Sequence, residues 1–152
     1  MKQKGVVTCP RGKSRALRLT RNPSETGIPR LGSIPAGLLA EAIADPEEIL
    51  PIDPNYFGGR SLFALRVLGE SMRDAGILDG DVAVIRHQRT VENGEIAAVR
   101  IDHEATLKRV FRTKRGLILR AENPAYAEIV VLTDEGREVD ICGVLIGIIR
   151  KR

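Results

Sequence analysis

The chain's 152 residues are enough for one domain with a real core plus a short extra piece. With no Trp, two Tyr and three Phe, that core has to be built from Val, Ile, Leu and Ala. Its two cysteines, Cys9 and Cys142, have neither metal-ligand nor disulfide-framework spacing. No apolar run exceeds residues 141–149 and the N-terminus has no apolar core, so neither a membrane span nor a signal peptide is expected, and the cysteine usage fits a reducing cytoplasm.

The net charge of +4 is unevenly placed. Residues 1–30 hold eight Lys/Arg against Glu25 alone, whereas the rest of the chain holds sixteen basic and nineteen acidic side chains. A basic head on a slightly acidic body suggests nucleic-acid contact by the head, although a basic disordered tail would carry the same charge.

In chain order, Gly5-Val6-Val7-Thr8 and Ala16-Leu17-Arg18-Leu19 flank a turn with Pro10 and Gly12, which predicts a β-hairpin within residues 1–20. Residues 21–30, with Pro23, Ser24, Gly27 and Pro29, read as a linker. Residues 31–34 suit a strand, and Pro35 biases Ile34 toward an extended conformation. One or two helical turns are expected over 38–44, stopped by Asp45-Pro46, followed by an extended stretch over 47–52 and turns at Asp53-Pro54-Asn55 and Gly58-Gly59.

From Ser61 onward the chain alternates, predicting strands near 61–68, 81–86, 95–101, 105–113, 117–121, 128–132 and 138–149. Many short strands with one brief helix imply a mostly β domain, a curled sheet or partial barrel. Residues 141–149 are apolar on both faces, so they form either a central strand or an edge covered by a partner. His87 and His103 lie in charged, turn-like surroundings and are expected at the surface. Asp74, Asp79 and Asp81 lack the spacing of a Ca²⁺ loop, so helix-entry and turn roles are expected and no metal.

The most informative stretch is Val67-Leu68-Gly69-Glu70-Ser71-Met72, where a strand runs into a Gly turn and a serine opens a short helical segment. Ser71 there is either a helix cap or a nucleophile with unused backbone N–H groups beside it, as an oxyanion requires. A base is needed to choose, and Lys108 is the candidate. Alternation puts Thr106, Lys108 and Val110 on one face and Ala105, Leu107 and Arg109 on the other. Neither face is purely apolar, which leaves the direction of Lys108 open. An inward lysine would lose its proton more easily and could take the serine's.

Phe63-Ala64-Leu65-Arg66-Val67-Leu68-Gly69-Glu70-Ser71-Met72, then Ala75-Gly76-Ile77-Leu78-Asp79-Gly80-Asp81, then Glu104-Ala105-Thr106-Leu107-Lys108-Arg109, resemble the self-cleaving domain of LexA repressors. These are Ser-Lys peptidases of the bacterial SOS response, related to UmuD-type polymerase subunits. The resemblance covers residues 31–152 and implies Ser71 as nucleophile, Lys108 as general base, and the N–H groups of Ser71 and Met72 as oxyanion donors. It also implies a bond cut within the same molecule at Ala36-Gly37, with Pro35 standing where the family more often has Ala.

Residues 1–20 resemble the wing of the family's winged helix-turn-helix, with Arg11, Lys13, Arg15 and Arg18 as DNA-backbone contacts; an unrelated basic hairpin would read similarly. Most of the helix-turn-helix is expected to be missing ahead of that wing, so operator DNA would be bound only if such a segment precedes the chain. The implied partners are a second copy in a homodimer and a RecA filament on single-stranded DNA that stimulates cleavage, with no membrane and no cofactor. The resulting expectation is a self-inactivating repressor of DNA-repair genes; the alternative is a UmuD-type subunit of an error-prone polymerase.

Overall fold

The computed structural model describes residues 27–32, 39–102 and 104–152. The N-terminal hairpin with Arg11, Lys13, Arg15 and Arg18, the Ala36-Gly37 bond and His103 lie outside the described residues.

Each alternating run from Ser61 onward forms a strand. These are β3 (Leu62–Arg66), β4 (Val82–His87), β5 (Ile96–Ile101), β6 (Glu104–Thr113), β7 (Gly116–Arg120), β8 (Ile129–Leu132) and β9 (Val139–Ile149). Ahead of them come β1 (Ile28–Leu31), the helix α1 (Leu39–Ala44), β2 (Glu48–Leu50) and a 3-10 turn over Pro54–Phe57. β1 starts earlier than expected and takes up residues read as linker. Its Ile28 is fully buried, while Pro29 pairs only with Ile49 of β2, so the missing N–H of proline costs no bond to β3.

The strands make one open sheet in the order β2-β1-β3-β4-β9-β5-β6-β7-β8. Every pairing is antiparallel except β1 with β3, which run parallel with Leu31 opposite Leu65. The fold is therefore mostly β, as expected, and the faces of the open sheet gather into three apolar clusters. Alternate residues of a strand serve opposite faces: Phe63 and Leu65 join one cluster with Met72, Ile77, Ile85, Ala98 and Leu107, while Leu62 and Ala64 join Ile28 and Val84 in another. The third gathers Ala97, Val99, Val110 and Leu119.

β9 is a central strand, which accounts for its two apolar faces. It pairs with β4 over 143–149 but with β5 only over 139–144, so its last five residues have an open side among the described residues. Cys142 is buried within this strand, and burial pushes its thiol up to about 11. No helix among the described residues is long and apolar enough to cross a membrane.

Candidate active site

β3 ends at Arg66, and the loop that follows is tied shut at its base. Val67 N–H donates to the Asp81 carbonyl at 2.8 Å and Gly80 N–H to the Val67 carbonyl at 2.9 Å. Gly69 takes φ 83°, a conformation glycine adopts without strain, and its N–H donates to Asp79 Oδ1 at 2.7 Å. Two residues later comes Ser71. Met72, 2% exposed, anchors the loop in the core, and a single 3-10 turn over Arg73–Ala75 ends at Gly76.

The segment after β7 clamps this loop from the other side. Glu122 N–H donates to the Ser71 carbonyl at 2.8 Å, and Asp74 N–H to the Glu122 carbonyl at 2.8 Å. The buried Asn123 donates through Nδ2 to the Glu70 carbonyl at 2.8 Å while its Oδ1 accepts from Ala125 N–H at 3.0 Å. A trans peptide is planar, so fixing the Glu70 and Ser71 carbonyls also fixes the N–H groups of Ser71 and Met72 pointing the opposite way. Among the described residues neither of those two N–H groups donates to a protein acceptor.

Lys108 arrives from β6, across from Ala97 of β5. It is only 7% exposed, which answers the question the alternation left open. Its Nζ lies 3.1 Å from Ser71 Oγ, 2.7 Å from Thr106 Oγ1 and 3.1 Å from the Leu107 carbonyl oxygen. All three are neutral groups, and burial lowers the lysine's pKa with nothing to offset it. A neutral amine has two N–H donors and one lone pair. The Leu107 carbonyl can only accept, and Thr106 can take the second N–H, which leaves the lone pair for the Ser71 hydroxyl proton. The arrangement can generate a serine alkoxide beside two oriented N–H groups, the combination that acyl transfer needs.

The sequence located Ser71, Met72 and Lys108, and the structure brings them together. It did not single out Thr106 or Glu122. Asp79 and Asp81 hold turns, as expected: Asp81 accepts from Leu78 N–H at 2.8 Å and pairs with Arg150. His87 is exposed at the end of β4, and no group of potential metal ligands occurs among the described residues.

Comparison with known proteins agrees with this geometry. The S24-like peptidase family matches residues 29–146. A LexA repressor of Geotalea uraniireducens is 43% identical, the match covering 99% of this chain and 74% of that protein. A LexA repressor of Acidithiobacillus ferrooxidans is 39% identical over 97% of this chain and 73% of its own length. Another from Clostridium novyi is 37% identical over 99% and 75%. The chain therefore belongs to the S24-like peptidases, in the family of LexA repressors.

Proposed function

We propose that this protein is the self-cleaving body of a LexA-type SOS repressor, in which Ser71 attacks the Ala36-Gly37 bond with Lys108 as general base. The observation that carries the reading is the 3.1 Å approach to the serine hydroxyl of a buried lysine that has no acidic partner among the described residues. In the proposed reaction Lys108 takes the Ser71 proton, and Ser71 Oγ adds to the Ala36 carbonyl carbon. The Ser71 and Met72 N–H groups hold the oxyanion, and Lys108 returns the proton to the Gly37 amine as the C–N bond breaks. Water then attacks the acyl-enzyme, again through Lys108, and frees Ser71.

Three features of the fold support attack within one molecule. β1 and β3 are parallel neighbours, so the chain leaves β1 at the end of the sheet where β3 gives way to the Ser71 loop. Leu31 and Leu39, on either side of residues 33–38, belong with Met72 and Leu107 to one apolar cluster. β6 has no β7 partner over residues 104–108, which leaves an edge beside Lys108 for an extended segment. A RecA filament on single-stranded DNA would act by stabilising the docked segment. Cleavage would release the +7 head (residues 1–30) with the N-terminal fragment, and with it any phosphate contacts of Arg11, Lys13, Arg15 and Arg18. The unpaired backbone edge of β9 over residues 145–149, open among the described residues, supports a homodimer.

The test is incubation of purified protein with and without RecA filaments, followed by mass spectrometry. Fragments 1–36 and 37–152 should form in a first-order reaction that accelerates as pH rises, and Ser71→Ala and Lys108→Ala should each abolish it. Cleavage at another bond, or undiminished cleavage in Ser71→Ala, overturns the reading.

A further inference from the structure

Arg150, the residue after β9, lies far along the chain from Ser71, yet its guanidinium reaches the nucleophile's loop. Nε donates to Asp81 Oδ1 at 2.7 Å; Nη2 donates to Asp81 Oδ2 at 2.7 Å and to the Gly76 carbonyl at 2.8 Å. Asp81 is 2% exposed, whereas the Arg150 side chain is 45% exposed. Two parallel N–H donors on one carboxylate fix geometry in a way a single ammonium does not.

Asp81 stands at the crossing of the loop's ties. Its Oδ2 accepts from Leu78 N–H, and its carbonyl accepts from Val67 N–H, at the point where β3 becomes the loop. Gly76 ends the 3-10 turn that starts just after Met72. One guanidinium thus holds the limb after Ser71 at two points, Gly76 and Asp81, and Asp81 in turn holds Val67 at the start of the limb before it.

We propose that Arg150 is a positioning residue for the Ser71 hydroxyl, acting through Asp81 and Gly76, so that the end of β9 sets the alignment of Ser71 with Lys108. This rests on the self-cleavage reading. Arg150 touches no reacting atom, so its loss should lower the rate while leaving the proton transfer chemistry of Lys108 alone. A misplacement of about 1 Å costs roughly a hundredfold in rate.

The experiment measures self-cleavage against pH for the full chain, Arg150→Ala, Arg150→Lys and, as a control, Lys151→Ala. Guanidinium chloride in the low millimolar range is added in parallel, since the exposed side of Arg150 gives a small solute access to the Asp81 carboxylate. Arg150→Ala should be roughly ten- to a hundredfold slower with the same pH midpoint. Guanidinium should restore part of that rate, Arg150→Lys should remain slow, and Lys151→Ala should match the wild type. An Arg150→Ala rate equal to wild type overturns the proposal. So does a loss that tracks melting temperature and is not rescued by guanidinium. Failure of the wild-type chain to cleave, or cleavage that survives Ser71→Ala, would instead remove the underlying reading.

Discussion

Thr106 Oγ1 lies 2.7 Å from Lys108 Nζ, closer than Ser71 Oγ at 3.1 Å. Both side chains sit on one face of β6, two residues apart. In the proposed reaction the hydroxyl would take one amine N–H and so turn the lone pair toward Ser71, and it would stabilise the ammonium when the proton arrives. Thr106→Val keeps the shape and removes both effects. Cleavage should slow, and the midpoint of its pH profile should move down because the charged lysine loses a partner. A midpoint that stays put or moves up would contradict this account.

Lys108 costs the fold stability. The unfolded chain carries an ordinary lysine with a pKa of about 10.4, and burial gives the folded chain a lowered one. Below the folded value the penalty is present in full. It is relieved as pH climbs from the folded to the unfolded value, because the unfolded state binds more protons over that window. Lys108→Met should therefore be more stable than wild type at neutral pH, with a flatter stability profile toward high pH, although inert in cleavage. Urea unfolding of both proteins from about pH 6 to pH 10 tests this, read as the difference in unfolding free energy across the range.

Asn123 earns its place by orienting a peptide. Asn123→Asp keeps the acceptor for Ala125 N–H but replaces the donor to the Glu70 carbonyl with a repelling oxygen. Losing a buried hydrogen bond of this sort costs roughly 1–3 kcal/mol. Cleavage should fall more than the loss of folded protein explains, since the Ser71 N–H is released with the Glu70 carbonyl. Parallel rate and Tm measurements distinguish the two effects.

Gly143 lies mid-sheet, between His87 of β4 and Ala98 of β5. A Cβ there would run into the Arg86 carbonyl and the Ile85 side chain. Gly143→Ala should destabilise by roughly 1–3 kcal/mol or more, read as a lower urea midpoint. At Gly76, where a Cβ would meet nothing within 4 Å, only the φ of 80° opposes substitution, and Gly76→Ala should cost about 1–2 kcal/mol.

The strands from Leu62 onward were legible because alternation and turn residues repeat without interruption. β1 was not, since Gly27 and Pro29 mark a loop by every local rule, and only burial of Ile28 and Leu31 against β3 makes it a strand. The direction of Lys108 stayed open because its face carries Thr106 and Lys108, polar by reason of the site itself. Arg150 and Asp81 were invisible as a pair: 69 positions separate them, and no spacing rule links a carboxylate to a distant arginine.

The place of β9 in the sheet bears on biosynthesis. A ribosome delivers β1–β4, with Ser71, and then β5–β8, with Lys108, before β9 emerges. The two halves share no strand ladder except through β9. β9 thus completes the strand ladder between the half that carries Ser71 and the half that carries Lys108, while Glu122 and Asn123 tie the second half to the Ser71 loop outside the sheet. The sheet that holds both residues is therefore complete only once its last described strand is in place.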